Sequence, residues 1–339
     1  MKSTFKGKKI LITGGTGSLG KALTRKLLEL DADTVRIFSR DEVKQTEMSD
    51  EIKDGRTRFL IGDVRDKERL RLAMEDIDIV FHAAALKQVP VAEYNPFEAV
   101  KTNVLGSQNV VDVCREEEVE IAMAVSSDKA VSPLNTYGAT KLVMEKIFTA
   151  ANFYKGWKKT IFTAVRYGNV MGSRGSVLPQ FVKAINNSGS ITITNAEMTR
   201  FNITLSDALD LILGGVERAK GAEIFVPKLQ AYKLGELAEA VTELMGKDVK
   251  VIRSSIRPGE KMHEMLINDS ESDYTIESDS RYVLLSPMIY QDHVKLYSKP
   301  KTNCIKGAYS SDKVPLIGKS KLKELIQREI FDTSNKYRP

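Results

Sequence analysis

Two pairs of ionisable residues lie close together near the middle of the chain. Tyr137 and Lys141 are spaced so that they share one face if the segment is helical. A lysine ammonium beside a phenol lowers the pKa of the phenol, which can then act as a base nearer neutral pH. Asp128 and Lys129, preceded by Ser127, add an acid and a second base. Hydride transfer alone does not require this extra pair, so the sequence predicts a redox tyrosine with additional acid–base chemistry.

Alternating apolar strands and helices are predicted to position these residues. Apolar runs predict parallel strands over residues 9–13, 34–38, 58–61, 77–82, 120–126 and 160–167, with helices between them. This order predicts an α/β fold with a doubly wound parallel Rossmann sheet. The carboxyl ends of such strands carry the ligand site, and the fifth run ends just before Ser127.

Domain organisation follows from the point at which this pattern weakens. We predict a nucleotide-binding Rossmann domain over residues 1–168 and a smaller mixed α/β substrate-binding lobe over residues 169–339. Some segments of the second lobe are expected to return to the first domain. The polar, acidic stretch 270–280 predicts an exposed loop, and a last helix over about 320–331 is expected to pack on the body.

A glycine-rich turn follows the first predicted strand and opens a helix. Gly14, Gly17 and Gly20 recur at every third residue. Glycine permits a tight turn and lets backbone N–H groups approach a pyrophosphate closely. The spacing predicts dinucleotide binding, and a glycine-rich turn that holds no ligand is the alternative.

The end of the second predicted strand discriminates between cofactors. An NAD site usually has a carboxylate there for the ribose hydroxyls, whereas this strand ends in Ser39 and Arg40, with Lys44 one turn further. A guanidinium and an ammonium suit a 2′-phosphate, so we predict NADP rather than NAD. Asp63, after the third strand, can accept a hydrogen bond from the adenine amino group. A solvated Arg40 and a helix-capping Asp63 are the alternatives.

Composition argues against several classes of function. The net charge of +6 is spread over 51 basic and 45 acidic residues, which favours an anionic ligand and argues against nucleic acid. Cys114, Cys304 and the 3 histidines lack metal-ligand spacing, so no metal site is predicted. The cysteine content indicates a reduced, cytoplasmic setting. The N-terminus does not read as a signal peptide, and no apolar run reaches the roughly 18 residues of a membrane span.

Several segments together resemble a known enzyme superfamily. The glycine turn, Asp63-Val64, Ala83-Ala84-Ala85, Asn103 and the Tyr137/Lys141 pair are typical of extended short-chain dehydrogenases/reductases. Within it, the chain resembles the short UDP-N-acetylglucosamine 4,6-dehydratases that invert carbon 5 at the start of pseudaminic acid biosynthesis. The closer resemblance is carried by residues 39–42, 82–87, 128–129, 166–170, 198–201 and 257–261.

The resemblance implies a set of ligand-binding residues. NADP, tightly bound and regenerated in each turnover, would contact Gly14, Thr16, Gly17, Ser18, Leu19, Gly20, Ser39, Arg40, Asp41, Lys44, Asp63, Val64, Ala83, Ala84, Lys87, Asn103, Tyr137, Lys141 and Val170. UDP-N-acetylglucosamine would contact Lys87, Lys129, Asn169, Arg174, Gly175, Ser176, Val177, Thr199, Arg200, Arg257 and Glu260. In these roles arginines neutralise the diphosphate and Glu260 accepts from the uridine ribose. A surface Arg200 and a helix-capping Glu260 are the alternatives. The family also implies a homo-oligomer, a dimer or a hexamer.

Asp128 and Lys129 decide between branches of the superfamily. Other sugar 4,6-dehydratases carry Asp-Glu here, and Asp-Lys is the pattern of the inverting UDP-N-acetylglucosamine enzymes. The implied mechanism has Tyr137, with its pKa lowered by Lys141, take the 4-hydroxyl proton of the sugar. A neutral Lys129 then takes the carbon-5 proton, and a protonated Asp128 protonates the departing 6-hydroxyl. The alternatives are an exposed Asp128-Lys129 loop pair, a UDP-sugar 4-epimerase and a non-catalytic NADP-sensing regulator.

Overall fold

Strands and helices alternate through the first half of the protein, as the sequence predicts. The structure, a computed structural model, describes residues 1–173, 175–246, 248–278, 280–297 and 305–332. The strands of these ranges are β1 (Lys9–Thr13), β2 (Thr34–Ser39), β3 (Thr57–Ile61), β4 (Ile79–His82), β5 (Ile121–Val125), β6 (Ile161–Val165), β7 (Ser190–Ile193), β8 (Thr199–Phe201), β9 (Glu223–Pro227), β10 (Ala231–Lys233), β11 (Lys250–Arg253), β12 (Met265–Ile267), β13 (Thr275–Glu277), β14 (Arg281–Leu285) and β15 (Tyr309–Ser310).

Helices connect and cover these strands. The α-helices are α1 (Lys2–Phe5), α2 (Ser18–Glu29), α3 (Glu42–Ile52), α4 (Lys67–Met74), α5 (Val89–Tyr94), α6 (Pro96–Val100), α7 (Gly106–Glu116), α8 (Thr136–Tyr154), α9 (Val177–Ser188), α10 (Leu205–Arg218), α11 (Leu234–Met245), α12 (Asp269–Ser272), α13 (Tyr290–Tyr297) and α14 (Lys319–Ile326). Two π-helical segments, Lys101–Leu105 and Gln327–Phe331, and a 3-10 turn, Asp128–Ala130, complete the set. No helix in the described ranges is long and apolar enough to cross a bilayer.

One large sheet organises the molecule. Its strand order is β13-β14-β9-β6-β5-β4-β1-β2-β3, and the strands from β9 to β3 pair in parallel. The order reverses beside β1, where β2 lies on one side and β4 on the other, which creates the crevice at which doubly wound sheets bind ligands. Strands β14 and β13 extend the opposite edge in antiparallel fashion. The predicted Rossmann fold class is therefore confirmed.

Apolar residues on both faces hold the sheet between its helices. Successive β1 residues point to opposite faces, so Ile10 and Ile12 enter one core and Leu11 enters the other. All three side chains are buried. This continuous apolar run is what a parallel strand covered by helices on both sides requires.

The second half of the chain adds strands to the large sheet and also forms a separate lobe. Strands β9, β13 and β14 join the large sheet, while three small sheets, β10-β8, β11-β7 and β12-β15, lie outside it. A separate apolar cluster packs helices α9, α11 and α14 together, with Phe181, Leu237 and Leu322 among its buried residues. Met198 and Tyr232 belong to the same cluster, which therefore also packs against the β10-β8 sheet.

The segment 270–280 differs from the predicted exposed loop. It forms the end of α12 and the edge strand β13. Asn268 and Glu271 form a capping box at the start of α12, and Glu271 also binds the buried Arg166 at 2.9 Å. Arg166 lies just beyond β6 and binds Glu145 of α8 at 2.6 Å. The prediction was wrong because the acidic composition reflects partners from distant parts of the chain rather than solvent.

Candidate active site

The glycine turn brings the start of α2 against the sheet. Gly14 has a φ of +68°, and a Cβ there would lie 2.8 Å from the Cα of Ala84. A Cβ on Gly20 would lie 2.2 Å from the Gly15 carbonyl oxygen. No side chain caps the N-terminus of α2, where Gly17 is the N-cap residue. The free backbone N–H groups of this helix start thus lie at the crevice, where they suit a pyrophosphate.

An elongated cavity of about 790 Å³ runs from this turn along the ends of β2 and β3. Arg40 is 55% exposed at its rim, with its Nη1 3.5 Å from Asp63 Oδ2. Asp41 caps α3 by accepting from the Lys44 N–H at 3.0 Å. The lining includes these predicted cofactor residues: Gly14, Thr16, Gly17, Ser18, Ser39, Arg40, Asp41, Lys44, Asp63, Val64, Ala84 and Lys87.

A deeper cavity of about 350 Å³ continues from the glycine turn to the ionisable pairs. Its wall is formed by the end of β5, the start of α8 and the segment after β6. The predicted residues that line it are Gly14, Gly17, Ser18, Leu19, Gly20, Ala83, Ala84, Lys87, Ser127, Lys129, Tyr137, Lys141, Asn169 and Val170. The glycine turn therefore lines both cavities, and the deeper one also contains Tyr137, Lys129 and Lys141. Together these residues fit a nicotinamide dinucleotide.

Local sequence explains how Tyr137 reaches the end of β5. The 3-10 turn begins at Ser127, whose Oγ accepts from the Lys129 N–H at 3.2 Å. Asn135 caps α8 by accepting from the Gly138 N–H at 2.8 Å. A Cβ on Gly138 would lie 2.1 Å from the Lys129 carbonyl oxygen, so only glycine lets α8 pack this closely on the turn. Tyr137 therefore comes within hydrogen-bond reach of Ser127.

Burial dominates the electrostatics of the tyrosine and its helix partner. Burial raises the pKa of Tyr137, while Lys129 and the hydrogen bond with Ser127 act in the opposite direction. Burial lowers the pKa of Lys141 to about 8, against a smaller opposing effect of Glu145. The Lys141 Nζ contacts Met144 Sδ at 3.0 Å. The cation that opposes this rise in the Tyr137 pKa is Lys129, whereas the sequence predicted Lys141 in that role.

Lys129 is an ion-paired cation rather than the neutral amine expected from the sequence. Burial disfavours its charge, but Asp128 and Glu264 outweigh burial and raise the Lys129 pKa. Its Nζ lies 3.0 Å from Asp128 Oδ1 and 3.6 Å from Glu264 Oε1. Asp128 is 1% exposed and also accepts from Ser127 Oγ at 2.8 Å. The alternative of an exposed loop pair is therefore wrong.

A third cavity, of about 680 Å³, opens on the other side of Lys129. Lys129 and Asn169 line both this cavity and the deeper one, so the two meet at the ion pair. Lys129 Nζ donates to Asn169 Oδ1 at 3.3 Å. In the same cavity Arg200 Nη2 lies 3.5 Å from Glu260 Oε1, and Arg257 is a further lining residue. The predicted substrate residues Lys129, Asn169, Arg200, Arg257 and Glu260 thus lie together.

Other predicted ligand residues lie elsewhere. Asn103 is buried behind the cavity, where its amide bonds both backbone groups of Leu86. Thr199 is also buried and bonds His263 at 2.8 Å and Ser311 at 2.6 Å. Both side chains are engaged in structural contacts away from the cavity linings.

The predicted substrate residues around the start of α9 do not lie together in one cavity. Gly175 lines the cavity along the ends of β2 and β3, named here the nucleotide cavity, and not the third cavity, named here the substrate cavity. Ser176 is the N-cap residue of α9, and Val177 packs against the cluster of the second lobe. Neither of these two appears in the described cavity linings, and Arg174 lies outside the described residues.

Sequence reasoning missed several residues of the site. Glu264 and Lys261 line the substrate cavity beside Lys129, and Asn135 lines it from the cap of α8. Tyr167 lines the deeper cavity, and Gln88 the nucleotide cavity. Tyr167 and Lys261 could have been predicted, because Tyr167 lies within 166–170 and Lys261 ends 257–261, two of the segments that carry the family resemblance.

Comparison with known proteins places this geometry in a family. Residues 10–286 match the family described as polysaccharide biosynthesis protein. The chain belongs to this family, a branch of the extended short-chain dehydrogenases/reductases. It is 51% identical to UDP-N-acetylglucosamine 4,6-dehydratase (inverting) of Campylobacter jejuni, over 84% of this chain and 84% of the relative.

Two further relatives bear on the branch of the family. UDP-glucose 4-epimerase of Rickettsia felis is 42% identical over 79% of this chain and 80% of its own length. The X-ray structure of Pen from Bacillus thuringiensis is 41% identical, with a TM-score of 0.89, covering 95% of this chain and 98% of that one. The family is thus shared by dehydratase and epimerase relatives, with the higher identity on the dehydratase side.

Proposed function

We propose that the protein is an NADP-dependent UDP-N-acetylglucosamine 4,6-dehydratase that inverts carbon 5. The product would be UDP-2-acetamido-2,6-dideoxy-β-L-arabino-hex-4-ulose, a first step toward pseudaminic acid or a related surface glycan. The observation that carries this proposal is the ion pair between the buried Asp128 and the half-buried Lys129, which lies where the deeper cavity and the third cavity meet. The dehydratase relative supports it independently. A cytoplasmic location and a homo-oligomeric state remain predictions.

The cofactor assignment rests on the nucleotide cavity. The glycine turn and the start of α2 offer backbone N–H groups to a pyrophosphate, and Arg40 and Lys44 offer positive charge at the rim. Asp63 Oδ2 already binds Arg65 at 2.7 Å, so its carboxylate also holds the rim arginines. Bound NADP would accept a hydride from carbon 4 of the sugar and return it to carbon 6.

Tyr137 begins the reaction in this mechanism. Its phenolate takes the proton of the 4-hydroxyl as the carbon-4 hydride is given up to the nicotinamide that the site would hold. The resulting ketone at carbon 4 acidifies the proton on carbon 5. The positive charge of Lys129 and the hydrogen bond with Ser127 favour the phenolate against the effect of burial. Lys141 lies on the same helix and adds a second cation, whose pKa burial lowers to about 8.

Asp128 and Lys129 then eliminate water. The resting ion pair and the reactive pair differ only in the position of one proton, which moves along the 3.0 Å contact from Lys129 Nζ to Asp128. The neutral amine takes the carbon-5 proton, and the electrons of that bond form the C5=C6 double bond. The C6–O bond breaks, and the departing oxygen takes the Asp128 proton to leave as water. As the hydride returns to carbon 6, a proton from solvent adds to carbon 5 from the opposite face and gives the inverted configuration.

The substrate would lie in the third cavity. Arg200 and Arg257 suit a diphosphate because a guanidinium offers paired donors, and Glu260 suits the ribose diol. Asn169, bonded to Lys129, lies where a sugar would pass from the arginines to the ion pair.

The deciding experiment uses the purified protein with UDP-N-acetylglucosamine in heavy water. We expect loss of one water, one deuterium at carbon 5 and inverted configuration there, measured by mass spectrometry and NMR. Lys129→Ala should abolish water loss, while Lys67→Ala, a change of a surface lysine, should keep it. A UDP-sugar 4-epimerase, the second candidate, would return a sugar of unchanged mass with carbon 4 inverted. Near wild-type dehydration by Lys129→Ala would refute the assigned role.

A further inference from the structure

Glu264 lies in the substrate cavity and touches both of its key cations. Its Oε1 is 3.6 Å from Lys129 Nζ and 3.8 Å from Arg200 Nε. Its other oxygen, Oε2, is buried and makes no hydrogen bond within the described residues. The side chain is only 5% exposed. A carboxylate buried this deeply is costly unless it stabilises neighbouring positive charge.

The backbone holds Glu264 firmly in this position. Its N–H donates to Ser311 Oγ at 2.9 Å, and its carbonyl accepts from the Ser311 N–H at 2.8 Å. Arg200 is fixed as well, since Nη1 donates to the carbonyls of Thr199 at 2.8 Å and Met262 at 3.2 Å. These bonds fix the backbone from which the buried Glu264 carboxylate extends toward Lys129 and Arg200.

We propose that Glu264 is a positioning residue for the acid–base pair: it holds the Lys129 ammonium between two carboxylates, so that the pair enters each turnover carrying one transferable proton. This inference rests on the proposed dehydration, which needs that proton to leave with the 6-hydroxyl. Without Glu264, Lys129 would have a single close counter-ion, and the pair would lose its proton at lower pH.

The remaining charged and titratable groups around Lys129 do not substitute for Glu264. Asp128 is the other counter-ion. Arg200 and Lys261 are positive and oppose the ammonium. Two tyrosines also face Lys129, Tyr137 and Tyr232, and both have raised pKa values because of burial. Among these groups, Glu264 is thus the carboxylate that joins Asp128 in offsetting the charge of Lys129.

The test is a titration of Lys129 in the full-length protein. With lysines labelled at carbon ε, NMR follows the Lys129 resonance, which is assigned by its loss in Lys129→Arg. In Glu264→Gln we expect the Lys129 pKa to fall by roughly 1–3 units, the usual effect of one charge at this range. In Glu260→Gln, which removes a carboxylate of the same cavity that contacts Arg200 instead, the pKa should stay at the wild-type value.

The outcomes separate this inference from the proposed function. An unchanged Lys129 pKa in Glu264→Gln overturns the inference, even if that variant loses activity, because a purely structural role would not move the titration. Glu264→Met removes the same charge and serves if the Gln variant does not fold. Failure of the wild-type protein to dehydrate UDP-N-acetylglucosamine overturns the proposed function, whereas the titration still decides what Glu264 does to Lys129.

Discussion

The cleft has a nucleotide end, at the glycine turn, and a chemical end, at Asp128, Lys129 and Tyr137, and the two are formed by different kinds of groups. At the nucleotide end, glycines and backbone N–H groups form the surface, and the charged residues, such as Arg40, are largely exposed. At the chemical end, Asp128, Lys141 and Glu264 are almost fully buried. Backbone N–H groups can bind a pyrophosphate without buried side-chain charge, whereas acid–base groups act most strongly where water does not screen them. The first end should therefore tolerate charge changes that the second does not.

The largest effect is expected from removing the hydroxyl of Tyr137. Tyr137→Phe deletes the base while leaving the packing of α8 on the 3-10 turn intact, so turnover should fall by roughly 10²–10⁴-fold. Cofactor affinity, measured by fluorescence titration with NADPH, should change little, which would separate the two ends. Turnover within tenfold of wild type would show that the chemical end does not depend on this base.

Burying Lys141 at the chemical end is expected to lower the free energy of unfolding. Its folded pKa of about 8 is below the unfolded 10.5, so between these values the unfolded chain binds more protons and the free energy of unfolding rises with pH. Below pH 8 the full cost applies, about 3 kcal/mol from a difference of this size. Lys141→Met should be more stable than wild type at pH 7.

Urea denaturation of nucleotide-free protein at pH 7 and pH 10 measures this cost. The gain of Lys141→Met over wild type should shrink at pH 10, because wild-type Lys141 is then largely neutral when folded. An equal gain at both pH values would mean that packing rather than charge explains the difference.

The smallest effect is expected at the rim of the nucleotide cavity. Arg40→Ala should weaken NADP binding by about tenfold and leave NAD binding unchanged, because only NADP carries the 2′-phosphate and exposed charge pairs are screened. Calorimetric titrations at low and high salt measure both affinities. Arg58→Ala, another exposed arginine change, is the control. Equal losses for the two cofactors would contradict the assignment of Arg40 to the 2′-phosphate.

Local patterns predicted the nucleotide end better than the substrate end. The glycine turn and the residues after β2 and β3 lie next to the strands that aim them, so spacing alone placed them in one cavity. Thr199 and Arg200 were both predicted to bind substrate, but neighbours on a strand point to opposite faces. Arg200 lines the cavity, and Thr199 faces His263 and Ser311.

The charge state of Lys129 was also not predictable from the sequence. Nothing local links Glu264 to Lys129, so the sequence offered no reason to expect the ammonium to be stabilised by a second carboxylate. The same holds for Glu271, whose partner Arg166 is distant in the chain and explains why 270–280 is structured. Long-range ion pairs of this kind emerge only once the fold brings the segments together.

The late strands of the large sheet set the order in which the protein can mature during synthesis. β6 is translated long before its neighbour β9, and β14 comes later still. Until then the growing chain carries an open apolar sheet edge, and Arg166 has Glu145 but not yet Glu271. The nascent sheet is therefore expected to be exposed to aggregation at β6 until β9 has left the ribosome.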